Sequence, residues 1–136
     1  MNVSLITGFR LYRDAPYLVF VQEFPEGFKS YASGDWTVPS VVFPHFMAES
    51  ARSDLYSWLS VGYGQLALAY GSAFTQDKTV DLLLVADRDF DTTILSPFSD
   101  YLVATQQSSE LQIKCGIEGL VEQIPPGFKH EHIMSW

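Results

Sequence analysis

The sequence predicts an all-β protein, an antiparallel sandwich with at most one short helix. Three observations carry that reading. Apolar residues recur with a period of two over short segments, as in Leu111, Ile113, Cys115 and Ile117. Turn signals built from Gly, Pro and Asp interrupt the chain about every ten residues, the spacing of sandwich strands. Sustained helical periodicity is nearly absent.

The elements follow in order. Residues 3–13 alternate loosely and read as a strand. Asp14-Ala15-Pro16 turns the chain. Tyr17 to Phe24 is a strong strand, bounded by prolines and rich in aromatic and β-branched residues. Leu18, Phe20, Gln22 and Phe24 share one of its faces; Tyr17, Val19, Val21 and Glu23 share the other. Both faces are largely apolar, which places it inside a layered sheet. Pro25-Glu26-Gly27 is a turn, and residues 28–34 are a weak strand or loop. Pro39 demotes residues 35–43 to an edge strand or extended loop, ended by Pro44-His45-Phe46. Met47, Ala51, Leu55 and Trp58 fall at near-helical spacing, so residues 45–59 are either a short helix or irregular. Residues 60–70 read as a strand with a bulge at Gly62 or Gly64.

The densest strand signal runs from Thr79 to Phe128. Residues 79–86 form an apolar strand, Asp87 to Asp91 a turn, and residues 92–96 and 99–105 strands broken by Pro97. Residues 110–117 alternate cleanly, with Glu110, Gln112 and Lys114 outward. Gly119 bends the chain toward Pro125-Pro126-Gly127, and the remaining FKHEHIMSW reads as a mixed, solvated tail.

The chain of 136 residues is expected to be one domain, residues 1–136, large enough for a real core and suited to being the N-terminal part of a longer chain. Hydrophobic residues reach 47% and charged residues 18%, too apolar for disorder. The net charge of −8 argues against nucleic acid, whose phosphates need a basic face, and against an anionic membrane surface. No apolar run approaches the ~20 residues of a membrane-spanning helix, so membrane insertion is not expected. Cys115 is the only cysteine; no intrachain disulfide exists, which favours a reducing, cytoplasmic setting. On an inward strand position, its expected state is a buried, inert thiol.

Several groups invite a chemical reading. Asp87-Arg88-Asp89-Phe90-Asp91 spaces carboxylates as a calcium loop does. Thr92 and Phe98, however, stand where such a loop needs glycine and glutamate, so an acidic hairpin turn is the plainer reading. His130-Glu131-His132 puts two imidazoles on one face of an extended segment, but with His45 the only other histidine no third ligand is near, and no metal or other cofactor is expected. The aromatic content of 15% is high. Asp35, Trp36, Trp58 and Tyr63, with Tyr31, offer a candidate carbohydrate-binding platform: rings to stack on sugar C–H faces and a carboxylate to accept from hydroxyls. Core packing or a domain interface is the plainer role for such rings in an all-β fold. No catalytic motif is present.

A family resemblance adds to this. Thr93-Ile94-Leu95-Ser96-Pro97-Phe98, Tyr101-Leu102-Val103-Ala104, Gly116-Ile117-Glu118-Gly119 and Ile124-Pro125-Pro126-Gly127-Phe128 form one set of matching segments. Pro16-Tyr17-Leu18-Val19-Phe20, with Gln22 and Phe24-Pro25, forms another. Together they resemble the N-terminal β-supersandwich, galactose-mutarotase-like domain of retaining glycoside hydrolases of the α-galactosidase and raffinose-synthase kind. The resemblance implies a non-catalytic portion that packs on a catalytic barrel supplied elsewhere and sits near oligosaccharide. It carries over no catalytic residue. A stand-alone carbohydrate-binding module and a structural subunit with an aromatic interface are the alternatives.

Overall fold

A computed structural model describes residues 3–29, 34–35, 38–47, 55–62, 65–70, 78–79, 82–87, 89, 91–109 and 112–136. All regular structure among them is strand, and every pairing is antiparallel. The strands are β1 (Ile6–Leu11), β2 (Tyr17–Phe24), β3 (Phe28–Lys29), β4 (Val41–Met47), β5 (Leu55–Gly62), β6 (Gln65–Tyr70), β7 (Lys78–Thr79), β8 (Leu82–Asp87), β9 (Thr92–Pro97), β10 (Ala104–Ser109), β11 (Gln112–Ile117), β12 (Gln123–Ile124) and β13 (Phe128–Ser135). A seven-stranded sheet runs β1-β2-β13-β9-β8-β5-β6, and a four-stranded sheet runs β4-β11-β10-β7. A two-stranded ribbon joins β12 to β3.

The two larger sheets close on each other through one apolar cluster. Leu83 and Leu95 from the seven-stranded sheet meet Cys115 from the four-stranded one, flanked by Phe46, Val85, Ile113 and Met134. Phe20 of β2 packs edge-to-face on Phe43 and Phe46 of β4, with centroids 5.9 and 5.5 Å away. A second cluster, Phe24, Phe28, Ile117 and Ile124, seals the end that carries the ribbon. There the turn glycines Gly27 and Gly127 both donate their N–H to the Phe24 carbonyl, at 3.1 and 2.9 Å. Gly27 has φ 63°, and a Cβ on it would overlap the Ile124 carbonyl oxygen; only glycine fits this crossing.

The structure bears out the all-β sandwich-like fold and corrects several elements. The described ends of residues 45–59 are strand, not helix: His45 to Met47 belong to β4 and Leu55 to Leu59 to β5, while 48–54, with Ala51, lie outside the described residues. Pro44 does not end its strand. The β4–β11 register jumps from His45↔Lys114 to Val42↔Gly116, so Pro44 sits in the bulge, where a missing N–H leaves no ladder bond unmade. The Phe43–Pro44 peptide is cis. Gly62 pairs with Gln65 at the end of the β5–β6 hairpin, in place of a bulge at Gly62; Gly64, the other position expected, lies outside the described residues. The run at 79–86 divides: Thr79 ends β7 in one sheet, and β8 starts at Leu82 in the other. Residues 99–103 are a turn, and the strand there is β10, made of the polar run Ala104–Ser109. The largest correction concerns FKHEHIMSW, which is no tail. Phe128–Ser135 is inserted between β2 and β9 and pairs with β2 along its full length.

Candidate functional site

The sequence-predicted binding residues do not form a described site. Asp35 is exposed, and its backbone carbonyl accepts the Val38 N–H at 3.1 Å. Trp58 lies on β5 opposite Ala69 and Val85, its side chain outside the described residues. Tyr31, Trp36 and Tyr63 also lie outside them. In the acidic run, Asp89 and Asp91 are exposed on the β8–β9 hairpin, which closes at Ala86↔Thr92. Among the described residues no three His, Cys, Asp or Glu side chains gather closely enough to hold a metal ion. Among the described residues there is no helix long and apolar enough to cross a membrane, the regular structure there being all strand.

The structure instead draws attention to a polar group in the interior. Alternation along β13 sends Phe128, His130, His132 and Met134 to one face and Lys129, Glu131 and Ile133 to the other. The first set points at the second sheet. His130 stands opposite Gln22, and His132 lies between Phe20 and Pro97. The two imidazoles meet edge-to-face at 4.7 Å and are 0% and 1% exposed. Thr105, Gln106 and Cys115 are equally buried across the layer. The expectation of a solvated His-Glu-His segment is therefore overturned. An imidazole that stays neutral is apolar enough to fill an inward strand position, and the alternation of charged and uncharged residues in Phe128–Met134 was the available signal. Gln22 was legible too, as the one polar residue in the row Leu18, Phe20, Phe24.

The turn over this cluster is firmly tied. The Phe98 N–H donates to the Glu131 carbonyl at 2.8 Å, and the Glu131 N–H donates to Ser99 Oγ at 3.1 Å. Asp100 takes φ 52°, a left-handed position that Asp tolerates better than most residues, and its carbonyl accepts the Val103 N–H at 3.0 Å. Glu131 thus anchors the turn from between the two histidines. Its own carboxylate points to the opposite face, where it pairs with Arg10.

Burial governs the chemistry of these groups. It lowers His130 to about 4, against partial opposition from the Asp100 carboxylate and from the Ser99 backbone, which lies beyond hydrogen-bonding reach of either ring nitrogen. It lowers His132 to about 3; neighbouring His130 pushes the same way, and the Thr105 backbone opposes both. Burial also drives the Cys115 thiol far above its usual range, so it is no nucleophile, as its inward strand position predicted. At neutral pH the cluster therefore holds two neutral imidazoles, amides, a hydroxyl and a thiol. Two contacts satisfy part of it: Gln106 Nε2 donates to the Leu95 carbonyl at 3.4 Å, and Cys115 Sγ lies 3.9 Å from Gln106 Oε1. Both amide atoms of Gln22, Thr105 Oγ1, both nitrogens of His130 and Nε2 of His132 have no hydrogen-bond partner. The cluster contains no carboxylate pair, no activated nucleophile and no charge with which to run a reaction.

Fold and site together define a two-layer antiparallel β protein with an uncharged polar interior. No protein-family model, curated protein or solved structure matches the chain.

Proposed function

We propose that this chain is a non-catalytic β-sandwich module, the accessory portion of a carbohydrate-active glycoside hydrolase, which packs on a catalytic barrel supplied elsewhere. The observation that carries a docking role is the turn at residues 98–103. It holds Phe98, Tyr101 and Leu102 outward, and Leu102 is 95% exposed. Large apolar side chains on a backbone tied down by hydrogen bonds form a preformed knob, which loses little freedom when a partner covers it. The Glu118 N–H donates to the Val103 carbonyl at 2.8 Å, bringing the turn that carries exposed Leu120 to the same end. The likeness of Thr93–Phe98 and Tyr101–Ala104 to glycoside-hydrolase sandwiches supports a barrel as the partner. The resemblance carries over no catalytic residue, which supports a non-catalytic role.

Two measurements test this. The purified chain is expected to turn over no aryl glycoside, and a (β/α)₈ sequence is expected in the same reading frame or on a chain that co-purifies with it. With that barrel in hand, Leu102→Asp should weaken the association at least about tenfold, or about 1.4 kcal/mol. Turnover by the isolated chain, or a natural source with no barrel beside it, overturns the reading.

A further inference from the structure

The seven-stranded sheet extends further than the sheet that covers it. β4, the edge of the four-stranded sheet, lies over β2 through the Phe20 contacts, and β1 lies one strand beyond. Register puts Phe9 opposite Phe20 and Leu11 opposite Leu18, so both continue the inner, apolar face. They are 63% and 68% exposed. Leu5, Ile6 and Tyr12 are exposed beside them, and all six residues of β1 are exposed. Among the described residues, no strand pairs with the outer side of β1.

Exposed edges are ordinarily guarded by proline, by a bulge or by charges that point outward. β1 has no proline, and its register with β2 is unbroken. Its one charge, Arg10, reaches back across its own sheet to Glu131. Electrostatics select the same strand. In a chain of net charge −8, residues 3–13 hold no carboxylate and two arginines, Arg10 and Arg13. The carboxylates that make copies repel one another elsewhere are absent here, and Arg10 is neutralised by Glu131.

We infer that β1 pairs antiparallel with β1 of a second copy, about a two-fold axis at Phe9, extending the sheet across the dimer. In this register Phe9 meets Phe9 and Thr7 meets Leu11 on the apolar face. Arg10 meets Gly8 on the other face, so no two arginines stand opposite each other. Gly8 has no atom within 4 Å of where a Cβ would be, which leaves room for the stem of the incoming Arg10. Ile6 meets Tyr12. The two apolar strips join into one floor continuous with the Phe20–Phe46 contact. The inference stands apart from the docking role of the 98–103 turn, which involves other residues.

Sedimentation and light scattering of the full chain over a concentration series are expected to show a monomer–dimer equilibrium. Phe9→Lys should weaken it at least about tenfold while leaving the circular dichroism spectrum unchanged. Register is read by cross-linking, since opposed residues of an antiparallel pair lie within disulfide reach. Cys115 is fully buried and does not compete. Phe9→Cys should oxidise to a covalent dimer, and Ile6→Cys, facing Tyr12, should not. A wild-type monomer at high micromolar concentration overturns the inference. So does a dimer that tolerates Phe9→Lys, or one in which Ile6→Cys cross-links and Phe9→Cys does not.

Discussion

His130 and His132 occupy interior positions that apolar residues usually fill, and they hold them only while neutral. An unfolded chain protonates both near 6.5, whereas the fold delays protonation to about 4 and about 3. Between those values the unfolded state binds more protons, so stability rises with pH. The contribution of each histidine is complete above 6.5 and is lost as the pH falls toward the folded values. Going from 6.5 to 5 removes roughly 2 kcal/mol per histidine, since one pH unit is worth about 1.4 kcal/mol for each differential proton. Set against a typical domain stability of about 5–15 kcal/mol, the pair makes the protein acid-sensitive well above the carboxylate range. Asp100, the charged group acting on His130, only moderates this, and exposed His45 hydrogen-bonds Gln112 in the other sheet. Urea unfolding at pH 7 and pH 5 should therefore show a loss of about 4 kcal/mol, and His132→Gln should remove about half of that dependence. The idea fails if a variant lacking both histidines is equally acid-sensitive.

At the scale of elements, what could be read from the sequence was decided by how apolar each strand is. β2 was legible to its ends, Tyr17 and Phe24, because proline bounds it and both faces are apolar. β11 was legible from its alternation instead, apolar residues taking turns with Gln112 and Lys114, and Cys115 and Ile117 are fully buried. β10 and β13 were misread because their inward positions hold Gln106, His130 and His132, whose burial rests on the opposite layer and leaves no hydrophobic period. Spacing suggested a helix near Met47–Trp58 because two strands on either side of a connection happened to place apolar residues at that interval. The bulge between β11 and β4 was invisible for another reason, since it depends on which strand comes alongside. Gly116 sits at that bulge, and a Cβ there would overlap the Val41 carbonyl oxygen. Backbone is in the way, not a flexible side chain, so relief requires the strands to separate. Gly116→Ala should therefore destabilise by about 3 kcal/mol or more, as severe overpacking does. By contrast Gly8→Ala, with open space around it, should cost the monomer well under about 1 kcal/mol. Chemical denaturation of the two variants side by side measures the difference.

For the whole molecule, the order of the seven-stranded sheet makes its last strand the keystone. β13 lies between β2 and β9, so residues near the two ends of the sequence meet in mid-sheet: Ser135 opposes Tyr17 on one side and Ile94 on the other. Without β13 the sheet separates into the β1–β2 hairpin and the β9-β8-β5-β6 group. The hairpin alone is at most marginally stable in water. Its remaining support would be the aromatic contact of Phe20 with β4 and the ends of the Phe24 cluster. The loss would also strip the cover from Gln22 and remove the Glu131 backbone that anchors the 98–103 turn. Ending the chain after Gly127 should thus abolish cooperative unfolding, leaving a broad, shallow thermal transition by circular dichroism and collapsed amide dispersion by NMR. Trimming Trp136 alone tests the specificity of that claim. It removes one backbone bond, Trp136 N–H to the Pro16 carbonyl at 3.0 Å, from a residue that is 58% exposed. That variant should keep a sharp transition, with a stability loss of about 1 kcal/mol. A cooperative melt after removal of all of β13 would mean that the four-stranded sheet and its cluster hold the fold, and the keystone role would be lost.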